Sequence, residues 1–154
     1  MSKDGFQFES ANDSPGFSLW QVSSMWQRRI NAGLRPFDLT HAQFVLLASL
    51  TWLVVGAEKP LTQAELASHA KMDVMMVSNV LRTLEEKGLI ARTPHPLDTR
   101  AKSLTVTSKG RELASQVVHV VESIDREFFS QLEDKVGDFN SYLQKLILEN
   151  QSEH

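Results

Sequence analysis

Cysteine is absent from all 154 residues. That excludes a disulfide framework, a thiolate zinc site and a thiol-based redox switch. No run of apolar residues is long enough to span a bilayer, and Met1 to Asn12 has no signal-peptide pattern, so the chain reads as cytoplasmic with no membrane partner. Catalytic parts are missing too. There is no glycine-rich phosphate loop, no nucleophile elbow and no close His with Asp or Glu, so no enzymatic activity is expected. His41, His69, His95, His119 and His154 have no metal-ligand spacing, and neither a metal nor a cofactor is expected. An excess of positive charge is also lacking, since the formal net charge is −3.

What is present fits one domain of ordinary size, with 42% apolar residues to supply a core. The charge is unevenly divided. Residues 1–61 balance at 5 basic and 5 acidic, residues 62–111 carry 8 and 5, and residues 112–154 carry 3 and 9. Positive charge therefore gathers in the middle third, through Arg82, Lys87, Arg92, Arg100, Lys102, Lys109 and Arg111, while phosphate would repel the acidic end.

The chain is organised around that middle third, Thr62 to Gly110. Thr62 opens a short helix as a capping box with Glu65, and Leu61 can staple to Leu66. A tight turn from His69 to Met72 leads to a second helix, capped by Asp73 and closed at Gly88. Val74, Val77, Val80, Leu81 and Leu84 recur at helical spacing and predict its buried face. Met75, Ser78, Asn79 and Arg82 lie opposite, with Met76 and Thr83 at the margins. Two such helices read as a helix-turn-helix. Leu89 to Arg92 and Lys102 to Val106 then read as paired strands around a loop that Pro94 and Pro96 stiffen. The whole is a winged helix-turn-helix.

The run Asp98-x-Arg100-x-x-x-Leu104-x-Val106-Thr107-x-x-Gly110, preceded by Leu84-Glu85-Glu86-Lys87-Gly88-Leu89-Ile90-x-Arg92, resembles the signature of MarR-type winged-helix regulators. Ser14-Pro15-Gly16-Phe17 and Leu39-Thr40-x-x-Gln43-Phe44-x-x-Leu47 resemble the family's first two helices, so the likeness covers roughly residues 14–148. Two positions depart from the pattern. Val106 replaces a leucine, and Met75 and Met76 stand where small hydroxyl residues are commoner.

The flanks are helical as well. After a polar, flexible start (1–13), Ser14-Pro15 opens a helix carrying Phe17, Leu19, Trp20, Val22, Met25, Trp26 and Ile30, which ends near Gly33. A second helix begins at Thr40, with Gln43 completing a capping box, and is apolar nearly all round to Val55, which predicts a central position. Thr107 caps a long helix with the stripe Leu113, Val117, Val120, Val121, Ile124 and Phe128; a last helix carries Leu132, Val136, Phe139, Leu143, Leu146 and Ile147. Neither stripe has an evident partner within so small a winged unit. The expected fold is mainly α with a small β-hairpin wing in one domain (14–154). Its winged helix-turn-helix (39–107) is flanked by dimerisation helices (14–38 and 108–150), interlocked with a second chain as the resemblance implies.

A symmetric dimer presents two recognition helices and predicts a near-palindromic double-stranded DNA operator, with half-sites about one helical turn apart. Ser78, Asn79 and Arg82 are candidates for base edges, Asn suiting adenine and Arg guanine, while Met75 and Met76 offer apolar contact. Arg100, flanked by His95 and Thr99 in the wing, is a candidate for the minor groove, with Asp98 orienting it. Thr62 and Gln63 at a helix N-terminus are candidates for phosphate, and Lys102, Lys109 and Arg111 for nonspecific attraction. The resemblance further implies a repressor, released by a small aromatic or phenolic effector held between the winged unit and the dimer helices. Trp20, Trp26, Arg29, His41, Phe44, Leu47 and Trp52 are the candidates on the first two helices. Glu85-Glu86 and Glu133-Asp134 read as solvated helix faces. The alternative is a winged-helix adaptor that holds another protein on the Met75-Met76 surface, and salt dependence separates the two readings.

Overall fold

The computed structural model describes residues 4–55, 60–94, 97 and 102–151. Helix α1 spans Pro15–Leu34, and the Ser14 hydroxyl accepts from the Phe17 amide at 3.2 Å, as the Ser-Pro start predicts. Its last turns bury Ile30 and Leu34, but Phe17, Leu19, Trp20, Val22 and Met25 stay exposed. A 3-10 turn (Arg35–Phe37) and the left-handed Asp38 (φ 56°) redirect the chain into α2, His41–Val54. There the predicted capping box is complete, with Gln43 N–H donating to the Thr40 hydroxyl and Thr40 N–H to Oε1 of Gln43, each at 3.2 Å. Helix α2 packs against α1 and four later elements, which explains why it is apolar on every side. Leu46, Leu47 and Leu50 form the centre of the core.

The winged unit follows. Strand β1 (Leu61–Thr62) leads into α3 (Gln63–Ala70), a turn through left-handed Lys71, and α4 (Val74–Glu86). Strands β2 (Ile90–Pro94) and β3 (Lys102–Val106) complete an antiparallel sheet ordered β1-β3-β2, with Ile90 opposite Val106 and Leu61 opposite Leu104. The third strand was not evident in the sequence, because two residues carry no period. It also changes the Thr62 cap. The Thr62 hydroxyl accepts from Glu65 N–H at 3.2 Å, but the return half of the expected capping box is not formed, since Thr62 lies in the sheet opposite Ser103. Val74 corrects another expectation. It is 53% exposed, because the first turn of α4 projects beyond the core that covers Val77, Leu81 and Leu84. Gly88 takes the predicted left-handed conformation at φ +74°, which frees the chain to turn from α4 into β2.

Helix α5, Ser108–Phe129, starts at the predicted Thr107 cap, whose hydroxyl accepts from Gly110 N–H at 3.0 Å. Its stripe is not unpartnered: Val117 and Val121 are buried beneath α1 and α2 of the same chain, together with Ala114, which the stripe did not include. Helix α6 differs. The chain breaks its helical course at Glu133 (φ 53°, ψ −122°), so α6 begins at Val136 rather than Leu132, and none of its residues is buried. Among the described residues no single helix is long and apolar enough to cross a membrane.

Candidate nucleic-acid interface

Helix α4 is amphipathic in the strict sense that one face is sealed and the other is bare. Val77, Leu81 and Leu84 are fully buried, while Met75 is 71% and Met76 46% exposed, with Asn79 and Arg82 also outward and Ser78 half-buried. The Asp73 carboxylate accepts from the Met75 and Met76 amides at 2.8 and 3.2 Å, which satisfies donors that helix geometry leaves free and sets where the exposed face begins. Burial of the opposite side then fixes the rotation of the helix about its axis. One turn further on, Arg82 Nη2 donates to Oδ1 of Asn79 at 3.4 Å, so the two candidates for base reading are joined on the outward face.

The charged residues divide into those facing out and those holding the unit together. Arg92 Nη2 donates to Oε1 of Glu85 at 3.4 Å, its backbone N–H donates to Oε2 at 3.2 Å, and Nη1 reaches Oε1 of Gln63 at 3.5 Å. One guanidinium thus ties the ends of α4, β2 and α3 together. This corrects the reading of Glu85 as a solvated face: the start of β2 brings Arg92 beside it, and the Arg92 side chain is only 19% exposed. Gln63 has this partner inside the protein, beside the Thr62 cap. Lys87 is also drawn inward, toward Asp38 and Gln43. Arg82, Lys102 and Arg111 remain exposed, with Lys102 opposite Pro94 at the root of the wing. His95, Asp98, Thr99 and Arg100 lie outside the described residues.

The seven effector candidates do not converge. Leu47 is enclosed in the core, and Phe44 packs against it. Trp20 is exposed on the first half of α1. Arg29 lies over the Phe128 ring at 5.3 Å and lines a concavity of about 460 Å³ where α1 meets the α5–α6 elbow, with Val22, Met25 and Phe139. Trp52 lines a different one, about 310 Å³ between α2 and α5, with Thr51, Val55, Arg111 and His119. Arg111 and His119 on α5 are the residues the sequence reading did not place there. Their signal was weak, because a basic residue on a helix says nothing of which neighbour it faces.

Trp26 and His41 form a third group. Trp26 Nε1–H donates to Oδ1 of Asp125 at 2.7 Å, and the His41 ring meets the indole edge-on with centroids 4.9 Å apart. Burial lowers the His41 pKa from its ordinary 6.5, against a smaller opposing pull from Asp125. A histidine kept neutral in the folded state costs stability where the unfolded chain would take up a proton. Stability is therefore expected to be full above pH 6.5 and to fall as pH drops through the lowered folded value. Urea titrations between pH 8 and 5 on the native chain and on His41→Gln test this. The variant should show a shallower loss over that window, and parallel curves would rule His41 out as the source.

Comparison with known proteins agrees with this architecture. Residues 39–102 match the MarR family. The HTH-type transcriptional regulator YdcH of Bacillus subtilis, itself uncharacterised, is 44% identical over 92% of this chain and 95% of its own length. The HTH-type transcriptional repressor Rv2887 of Mycobacterium tuberculosis is 33% identical over 88% of this chain and 96% of its own. The crystal structure of Rv2887 in complex with DNA superimposes with a TM-score of 0.65, at 32% identity, over 86% of this chain and 97% of that one. CouR of Rhodococcus jostii RHA1, crystallised with p-coumaroyl-CoA, gives a TM-score of 0.76 at 26% identity, covering 90% of this chain and 95% of that one. With the bare α4 face, the three-stranded wing and near full-length likeness to named regulators, the chain belongs to the MarR family of winged helix-turn-helix, DNA-binding transcriptional regulators.

Proposed function

We propose that the protein is a cytoplasmic homodimeric repressor, that it binds a near-palindromic double-stranded operator through α4 and the wing, and that a small aromatic effector releases it. The observation that carries the DNA reading is the outward face of α4, whose Asn79 and Arg82 are committed to no other element among the described residues. A helix with its opposite side fully buried is a rigid reader of a major groove. In this reading Met75, Met76 and Ser78 add contacts beside the pair, Thr62 and Gln63 lie toward phosphate, Lys102 and Arg111 add attraction, and His95, Thr99 and Arg100 complete the wing. Repression and DNA binding in Rv2887 support it.

Dimerisation is supported by α6, where Tyr142, Leu146 and Leu148 are 69%, 58% and 64% exposed on a helix with no buried residue. A gap of about 870 Å³ between the end of α6 and the α3–α4 turn leaves room for a second chain's helix. The helices 14–38 and 108–150 would then interlock. We assign the effector to the concavity between α2 and α5, where Trp52 offers a stacking face and Arg111 a cation for a phenolate or carboxylate. The ligand held by CouR supports the aromatic class.

Arg82→Ala is the test of the DNA reading. Loss of one good base contact costs about 1–3 kcal/mol, so affinity for an operator selected from random duplex should fall roughly 5- to 150-fold per half-site. The native complex should also weaken about 10³-fold between 50 and 200 mM salt, if some six phosphates are neutralised. Fluorescence anisotropy measures both. A flat salt response with unchanged Arg82→Ala affinity would favour the adaptor reading, in which the exposed methionines hold a protein.

A further inference from the structure

Lys87, the first residue beyond α4, carries a set of contacts that neither the fold of the winged unit nor base reading requires. Its ammonium donates to the backbone carbonyl of Asp38, to Oε1 of Gln43 at 3.1 Å, and lies 3.5 Å from the Asp38 carboxylate. Two of the three lysine donors are thus bound inside the protein, and the nearby carboxylate favours the charged form. Asp38 is the left-handed residue that ends the turn after α1, and Gln43 is the same side chain that caps α2 through Thr40. On the other side, Lys109 Nζ at the start of α5 donates to the Lys87 carbonyl at 3.0 Å. Partners 49 and 44 residues away in sequence are thus joined at the end of the helix that faces DNA. The Lys87 side chain is 27% exposed, so these bonds are partly sheltered from solvent.

We propose that Lys87 is a positioning residue. It locks the end of α4 to the α1–α2 elbow, and so sets the angle at which each recognition helix is held relative to the dimer helices. The consequence is a fixed separation between the two recognition helices, and hence a strict operator spacing. The reasoning is geometric. The core contacts of α4 hold it to α2, α3 and β2 and fix which face is outward; the tie at the helix end reaches the α1–α2 elbow and so fixes the tilt of α4 against α1. The inference rests on the operator reading above, and its test includes a measurement that needs no DNA.

The chain has no cysteine, so Glu86→Cys introduces a single spin label per protomer at the exposed end of α4. Distances between the two labels of the dimer are measured by pulsed electron resonance in that background, then with Lys87→Met, which keeps the stem and removes the donors, and Lys87→Arg, which retains a cation. In parallel, selected operators with one base pair added or removed at the centre, and a duplex with one half-site, are titrated with Lys87→Met. The expected result is a distance distribution at least twice as broad for Lys87→Met, narrowed again in Lys87→Arg. Discrimination against the altered spacings should fall from roughly tenfold, the order of one lost base contact, to under about threefold. Half-site affinity should be unchanged. An unchanged distribution with full spacing discrimination overturns the proposal, and so does a fall in half-site affinity equal to that on the full operator. If the native protein binds no selected duplex, the operator reading fails, while the label distances still decide whether Lys87 holds the angle.

Discussion

Gly110→Ala is expected to lower the melting temperature by about 10 °C, the equivalent of roughly 3 kcal/mol in a domain of this size. A Cβ at Gly110 would lie 2.0 Å from the Leu89 carbonyl oxygen and 2.9 Å from both its carbon and Cγ1 of Val106. The obstacle is backbone, and it is held in place. Leu89 O accepts from Thr107 N–H at 3.1 Å, while the Thr107 hydroxyl donates to Gly88 O at 2.6 Å. Moving α5 away far enough to admit a methyl would break the joint between α5 and the root of the wing. Gly137→Ala is the control, because a Cβ there meets nothing within 4 Å, and replacing a helical glycine is expected to be neutral or to stabilise by up to about 1 kcal/mol. Thermal denaturation followed by circular dichroism compares them. Equal melting temperatures for Gly110→Ala and the native chain would mean that α5 does not start against Leu89. Since that joint also orients the wing, operator binding should weaken at temperatures where the variant remains folded.

The same joint shows how far local sequence reaches. Ser14, Thr40, Asp73 and Thr107 were each legible as caps, and all four accept the amide bonds that role requires, because a cap and its partner are two or three residues apart. Gly88 was legible for the same reason. The Arg92–Glu85–Gln63 tie was not, nor was Lys87 to Asp38 and Gln43, since nothing in the spacing of the charges says which strand will turn beside which helix. Periodicity marked the stripe of α5 as buried but did not say by what, and the covering proved to be α1 and α2 of the same chain. Of the candidate interface, the outward face of α4 followed from its period, whereas the pairing of Arg82 with Asn79 depends on rotamers. The effector candidates were the least legible. Aromatic residues on a helix can face the core, a neighbour or solvent, and here Phe44, Trp26 and Trp52 do each of these.

Leu146→Glu is expected to convert a dimer of twice 17.4 kDa into a monomer of 17.4 kDa at micromolar concentration. Helix α6 has 14 residues, none of them buried, and it is continuous with the rest of the chain only through the irregular turn at Glu133. A helix of that length is marginal in water when nothing packs on it. Its exposed Tyr142, Leu146, Ile147 and Leu148 are apolar surface of the kind that soluble chains bury in an interface, and so, on α1, are Phe17, Trp20 and Met25. An ionised carboxylate in the middle of that surface would lose its hydration without gaining a partner, at a cost of several kcal/mol per protomer. Both protomers would bear it, because a two-fold interface repeats each change. The effect on DNA should be larger than that of any single base contact. Tethering converts binding of the second half-site into an intramolecular step that can contribute 10² to 10⁴ in affinity, so operator binding should fall by about 10²-fold or more while half-site binding stays the same. Light scattering and anisotropy on one preparation read both quantities. A Leu146→Glu protein that remains a dimer with intact operator affinity would remove α6 from the interface. A monomer that still binds the full operator tightly would show that the two recognition helices need no common frame, and the role assigned to Lys87 would fall with it.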